Sequence, residues 1–484
     1  MSLKEIGRDG HLPASADGVA SDPLQLWLAY VEQVARVRRL SDELDALRSS
    51  RSWRLTAPLR RLMAWLPSSG TTAAVLRPMA VVAGPEPVQD AAAPISGLPA
   101  SLREWVSRTH PLPMPGKRLL IDVTEVDLED LGAGIQRVTK RVLAELLRAP
   151  PEGLTVVPVR LAVEGHYCLA WRFCERFLGF AADSLGAERK IVPAAGDVFL
   201  GLDFCRRHAA KLGLALREMK EADVRVLMLV YDLLPLRHPQ WFPPDVVSEF
   251  KAWLPLLEEH ADAALCISET TRMDLLGAFA ASGAKLDGRA VTIPLGADAL
   301  WVNAQGSRSP ESGVQRVLLV GTVEPRKGHG EVLDVFERLW ANGHRIELVF
   351  AGRLGWHVED LRRRIRQHPL YGRQLHWHES LDDIELSSLY ASADLLLMAS
   401  KGEGFGLPVA EAGHAGCRLL LRDLPVFREV AGDRARYFGN ASPSLDEALA
   451  AFIQAPDAWP DPRSRPWPTW RDSGAAISLQ CFDP

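Results

Sequence analysis

The chain has 484 residues, too many for one compact core, so two domains with additional segments are expected. Its apolar share of 47% and charged share of 24% are ordinary for a globular protein, and a formal charge of −5 argues against a chain built to coat nucleic acid. Six cysteines, at 168, 174, 205, 266, 417 and 481, form no C-x-x-C pair, which speaks against a cysteine-built zinc site or redox pair and for reduced thiols in the cytoplasm.

The opening residues, MSLKEIGRDGHLPASADG, lack the apolar core of a secretory signal. No run of about 18 apolar residues occurs, so no transmembrane helix is expected and any membrane contact is peripheral, at the inner face of the cytoplasmic membrane. Residues 1–22 are small and polar and read as disordered. Over 23–66, Leu24, Trp27, Val31, Val34, Leu40, Leu44 and Leu47 recur near heptad spacing, with an irregularity at Val37. This predicts an amphipathic helix that can pair with another copy, a route to a homo-oligomer. Its basic end, RSSRSWRLTAPLRR (48–61), has five arginines and no acid. It suits an anionic membrane surface or a partner, or else a solvated helix end turning at Pro58. Residues 67–116 are rich in Pro, Ala, Gly and Ser and read as a linker.

From Lys117 short apolar runs alternate with helical patterns: RLLIDV (118–123), LTVVPVRL (154–161), DVFLGLD (197–203), VRVLMLVYDL (224–233), AALCIS (263–268) and VTIPLG (291–296). Nearly continuous apolar strands between helices indicate a parallel sheet covered on both faces. A polar, Gly/Pro-rich gap at 303–313 predicts a hinge. The alternation then restarts with RVLLVGTV (316–323), RIELVFAG (345–352), QLHWHES (374–380), DLLLMAS (394–400) and RLLLRD (418–423). The alternation therefore predicts two successive α/β units, 117–305 and 306–464, joined by that hinge, with a tail helix in 465–484 started by Thr469.

The strongest chemical signal is SKGEGFGLPVAEAGHAG (400–416), which leaves an apolar strand and opens a helix. Gly402, Gly404 and Gly406 allow backbone to approach a ligand, Pro408 suits a first helical turn, and the N–H groups there face an anion such as a diphosphate. Glu403 and Glu411 flank that turn, one suited to hydroxyls of a transferred sugar and the other to a ribose diol; the plainer reading is two solvated glutamates on a tight turn. The second signal is LLVGTVEPRKGHGEVLDVF (318–336), where Arg326 and Lys327 follow a strand ending at Gly321. Cations at the carboxyl end of a parallel sheet can neutralise a departing diphosphate; alone, they could equally decorate a surface turn.

Together these stretches resemble the family-four retaining glycosyltransferases, which share the two-Rossmann GT-B architecture. The resemblance spans roughly 117–480 and is most specific between 318 and 430. It rests on a glutamate, seven residues and a second glutamate after a strand, as Glu403 and Glu411 stand here. It implies that Lys327 binds the donor diphosphate, Glu403 the transferred sugar and Glu411 the nucleotide ribose, with backbone contacts from Gly404, Phe405 and Gly406. Many members carry arginine directly after the glycine that ends the strand; here Thr322 follows Gly321, and Arg326 is the substitute charge. The sequence G-T-x-E-P-R-K resembles a mannosyltransferase-like subgroup of bacterial polysaccharide and O-antigen synthesis. The donor implied is a nucleotide-diphosphate hexose, GDP-mannose first, with no cofactor and no metal; the acceptor is a saccharide or lipid-linked saccharide.

The first domain offers weaker signals. LEDLGAGIQRVTKRV (128–142) misses the dinucleotide fingerprint because Arg137 replaces its third glycine, and the resemblance puts Gly134 against donor phosphates or acceptor. VYDLLPLRHPQWF (230–242) ends a strand where the subgroup often has a His–Asp pair; here Tyr231 precedes Asp232, which is the candidate to orient a hydroxyl. His238 is a further candidate, although a lone histidine is more readily a packed side chain. Ser268, Glu269 and the Gly296–Asp298 turn are expected to line the cleft, and His376 and His378 to be strand decoration. The family implies front-face transfer, with Lys327 and Arg326 on the leaving group and Glu403 on the sugar. Rival readings are a sugar-nucleotide 2-epimerase, a catalytically degenerate scaffold and, least, a nicotinamide oxidoreductase.

Overall fold

The computed structural model describes residues 116–482 except 131, 133, 179–187, 284–287, 298–313 and 440–442. The expectations for the start of the chain, the 23–66 helix, its basic end, the linker up to residue 115 and the 303–313 hinge lie outside the described residues.

The apolar runs form two sheets. The first contains β1 (Lys117–Asp122), β2 (Leu154–Leu161), β3 (Tyr167–Leu169), β4 (Val198–Gly201), β5 (Arg225–Val230), β6 (Ala263–Cys266) and β7 (Ala290–Thr292), in the order β3-β2-β1-β4-β5-β6-β7. Its pairs are parallel except β2 with β3. The second contains β8 (Gln315–Val320), β9 (Ile346–Ala351), β10 (Leu375–His378), β11 (Leu395–Met398), β12 (Arg418–Arg422) and β13 (Arg436–Phe438), in the order β10-β9-β8-β11-β12-β13, all parallel. Strand alternation sends Leu119 and Ile121 to one face and Leu120 to the other; Val317 and Leu319 likewise oppose Leu318 and Val320. Helices cover both faces, as continuous apolar strands require. The short strands β3 and β13 were not expected from the sequence, because three residues carry too little periodicity to read.

In both sheets the connections reverse direction between neighbouring strands, at β1 beside β4 and at β8 beside β11. Loops leaving such a pair diverge and open a crevice at the carboxyl ends, the usual ligand position in open α/β sheets. The two carboxyl edges face each other, so the architecture is the two-domain one expected.

The tail helix belongs to the first unit, while Trp467 just before it packs on the second. Helix Trp470–Gln480 starts on Thr469, whose Oγ1 accepts from the Asp472 N–H at 3.3 Å while the Asp472 carboxylate accepts from the Thr469 N–H at 2.7 Å. Trp470 and Ile477 then join the apolar cluster of Val142 and Leu146, and Gly474 lies against Glu145 of helix Gly134–Arg148. The Gly296 N–H donates to Ser473 Oγ at 2.8 Å, and the Ala297 N–H to the Pro468 carbonyl at 3.4 Å. The turn at Gly296–Ala297 therefore abuts the tail, and Ala297 packs with apolar residues of the second unit such as Val409 and Ala412; Asp298 lies outside the described residues. Among the described residues no helix is long and apolar enough to cross a membrane.

Candidate active site

After β8 the chain passes Gly321 and Thr322, buries Val323 and makes a 3-10 turn at Pro325–Lys327 before helix His329–Ala341. The Lys327 stem runs beside Gly321, where a Cβ would lie 3.5 Å from Lys327 Cε. Lys327 Nζ donates to Glu403 Oε1 at 2.5 Å, and Arg326 Nη1 donates to Glu403 Oε2 at 3.1 Å and to the Gly402 carbonyl at 2.6 Å. Arg326 Nη2 holds a second carboxylate, Glu324 Oε1, at 2.6 Å. The Glu403 side chain is 8% exposed. Burial alone would raise its pKa, but Lys327 and Arg326 outweigh it and hold the carboxyl at about 2. The glutamate is therefore neither solvated nor free: it is an anion clamped by two cations at the switch point of the second sheet.

The loop after β11 delivers Glu403 through two demanding glycines. Gly406 has φ +90°, a conformation side chains rarely adopt, and it caps helix Leu407–Ala415 with Pro408 in the first turn. Gly404 is needed for close approach, because a Cβ there would collide with the Tyr231 carbonyl oxygen of the first unit. The Gly404 carbonyl accepts from Ser268 Oγ at 2.6 Å and from Thr271 Oγ1 at 3.2 Å. Phe405 packs against apolar clusters of both units. Asp232 follows Tyr231 and is half-buried, with Oδ1 accepting from the Leu234 N–H at 3.0 Å. Burial raises its pKa and the nearby Arg326 guanidinium opposes that rise, with Glu403 and Lys327 also within electrostatic reach. Glu403, Lys327, Arg326 and Asp232 thus converge from three loops.

Glu411 has different partners. It is 2% exposed, accepts from Tyr390 Oη at 2.7 Å and pairs with Arg137 Nη2 of the first unit at 2.5 Å. Arg141, one turn further along the same helix, reaches Asp383 Oδ2 at 3.0 Å. Gly134 begins that helix, and a Cβ there would lie 3.9 Å from Leu407 Cδ1. The near-miss fingerprint loop therefore faces the start of helix Leu407–Ala415. Nothing in the sequence points to Tyr390, which sits in a helix with no local motif, and Arg137 stands out there only as the residue that breaks the glycine fingerprint. Replacing Arg137 with alanine is expected to leave the Glu411 carboxylate buried without its cation. The expected loss is about 2–3 kcal/mol by urea denaturation, below the figure for a fully buried pair because Arg137 is 21% exposed. An unchanged midpoint would mean the pair does not form in solution.

His329, directly behind Lys327, is 1% exposed, and both ring nitrogens lack a hydrogen-bond partner; the ring meets Phe350 edge-on at 5.0 Å. Burial, helped by Lys327, pushes its pKa from 6.5 to about 3. The folded value lies below the unfolded one, so the unfolded chain binds the extra proton between them. Stability from this group is complete above the unfolded pKa and drains away as pH falls towards the folded one, by about 1.4 kcal/mol per unit. His329→Leu is expected to flatten the acid limb of a urea-midpoint-versus-pH curve; an unaltered slope between pH ~6 and ~4 would rule the histidine out as its cause.

Residues 306–457 match the model of the family described as glycosyl transferases group 1. The serotype-specific mannosyltransferase WbdA of Escherichia coli is 31% identical over 392 residues, covering 76% of this chain and 47% of that protein. The O-antigen chain mannosyltransferase B of Escherichia coli is 25% identical over 244 residues, covering 47% of this chain and 60% of that protein. The chain spans about half the length of the first of these relatives. The crystal structure of Anabaena Alr3699/HepE in complex with UDP and glucose aligns with a TM-score of 0.51 over 76% of this chain and 96% of that one, at 15% identity, a likeness of fold.

Proposed function

We propose that the chain, whose residues 306–457 match the group 1 glycosyl transferases, is a retaining hexosyltransferase. It moves mannose from GDP-mannose to a saccharide or lipid-linked saccharide acceptor in O-antigen or related polysaccharide synthesis. The observation that carries this is the clamp of Lys327 and Arg326 on Glu403 at the switch point, facing Asp232. The names of the curated relatives support the sugar and the pathway class.

In this reading the donor diphosphate takes over the two cations, which stabilise the charge that appears as the glycosyl bond breaks. Glu403, released from them, holds hydroxyls of the hexose, and Glu411 exchanges Arg137 for the ribose diol. Gly134, Gly321, Thr322, Gly404, Phe405 and Gly406 shape the walls. The anomeric carbon loses its bond to the diphosphate oxygen and gains one to the acceptor oxygen on the same face. The acceptor's proton passes to the departing diphosphate, and Asp232 orients the hydroxyl. Cationic side chains do the work of a metal, so turnover is expected to survive EDTA. The enzyme acts in the cytoplasm, at the inner membrane face where a lipid-linked acceptor would lie.

The test is a thermal-shift screen against nucleotide sugars, followed by NMR of the transfer product. Stabilisation by GDP-mannose and an α-linked product support the reading. Preference for another donor replaces mannose, a β-linked product removes retention, and a converted sugar released without acceptor makes the chain an epimerase.

A further inference from the structure

Four aromatic side chains at the mouth of the cleft belong to none of the apolar clusters of either core: His238, Trp241 and Phe242 after β5, and Trp356 after β9. All four are half-buried. The His238 and Trp241 rings stack with centroids 4.0 Å apart and planes 17° from parallel, and Phe242 lies 6.1 Å from Trp356. Trp356 Nε1 donates to the Trp241 carbonyl at 2.9 Å, joining the two units.

This cluster borders the clamp from two sides. The Trp241 ring lies against Gly402, the neighbour of Glu403: a Cβ there would sit 3.0 Å from Trp241 Cζ3. Trp356 follows Gly355, which packs on the loop carrying Lys327, with a Cβ position 2.9 Å from Thr322 Cγ2. Glu411, the place for a ribose, lies beyond Gly406 along the same loop and helix, with Tyr390 of helix Asp383–Ser392 against it.

We propose that His238, Trp241, Phe242 and Trp356 form a shelf that binds the acceptor saccharide beside the clamp, an assignment that rests on the transferase reading. A pyranose has an apolar C–H face and a rim of hydroxyls, and partly exposed aromatic rings match that division, covering the face and leaving the rim wet. Burial, together with Arg237, lowers the pKa of His238, so its ring is neutral at neutral pH and stacks without carrying a charge. Because the Trp356–Trp241 hydrogen bond joins residues of different units, the shelf is complete only when the cleft is closed.

The full chain labelled with 5-fluorotryptophan is titrated with mannotriose and with maltotriose in the presence of GDP and read by fluorine NMR. Trp241→Phe and Trp356→Phe assign the signals. Saturable shifts of the Trp241 and Trp356 resonances with either sugar are expected; no shift with both overturns the shelf. In the transfer assay, Trp241→Ala, Trp356→Ala and His238→Ala are expected to raise the acceptor KM at least about tenfold, the loss of one well-stacked ring. The GDP Kd by calorimetry stays constant, which also certifies that each variant is folded; if one tryptophan variant fails to fold, the other and His238→Ala carry the test. A weakened GDP Kd with an unchanged acceptor KM would assign the rings to the nucleobase and overturn the proposal. If saccharides shift the rings but no nucleotide sugar is turned over, the transferase reading falls and the shelf stands.

Discussion

Replacing Glu403 with glutamine is expected to lower sugar transfer about a thousandfold while tightening GDP binding about tenfold, two effects of opposite sign from one atom change. The first follows from losing the charged acceptor that would hold the hexose hydroxyls as the glycosyl bond breaks. The second follows from the clamp itself. Glu403 now occupies both Lys327 and Arg326, and any diphosphate must compete with it for them. With a neutral amide in its place, Lys327 loses an ion-pair partner and Arg326 keeps Glu324, so the site becomes more positive. Calorimetry with GDP and a turnover assay read the two arms. Wild-type turnover would remove Glu403 from the reaction, and weaker GDP binding would place the diphosphate elsewhere.

Gly404→Ala is expected to hold the cleft open and cost about a hundredfold or more in turnover, because catalytic groups held even an ångström out of place lose that much. The added methyl would meet the Tyr231 carbonyl oxygen, a backbone atom that cannot swing away. Opening would also release the Gly404 carbonyl from Ser268 and Thr271. It would loosen Glu429, which now accepts from the Glu269 and Thr270 N–H groups at 2.6 and 3.0 Å, a helix start capped from the other unit. Each unit keeps its own core, so small-angle scattering should show a larger radius of gyration with unchanged circular dichroism. An unchanged radius with full activity would show that the contact is not required for closure.

Much of the architecture was readable because both faces of each sheet are covered. Strands such as Leu154–Leu161 and Ile346–Ala351 must then be almost wholly apolar, and such runs stand out between helices. The residues of the clamp, though not their pairing with one another, were readable for another reason: Arg326, Lys327 and Glu403 sit in short loops directly after strands, and the switch point brings those loops together. What escaped depends on distant partners. Arg137 looks like any arginine in a first helical turn until the second unit sets Glu411 in front of it. Tyr390 has no motif around it, and its link to the site is the carboxylate it meets. The aromatic residues at 238–242 looked like a loop with one histidine, since Trp356 meets them only in the assembled fold.

The return of helix Trp470–Gln480 to the first unit has a consequence for biosynthesis. A ribosome makes β1 to β7 first, then the whole second unit, and only then Trp470 and Ile477, which fill the cluster around Val142 and Leu146. Until those late residues emerge, the earlier half carries an uncovered apolar stripe on helix Gly134–Arg148. The nascent chain is thus most exposed to aggregation and to chaperones during the synthesis of its second half, and a stop codon shortly before residue 470 would leave that stripe bare for good.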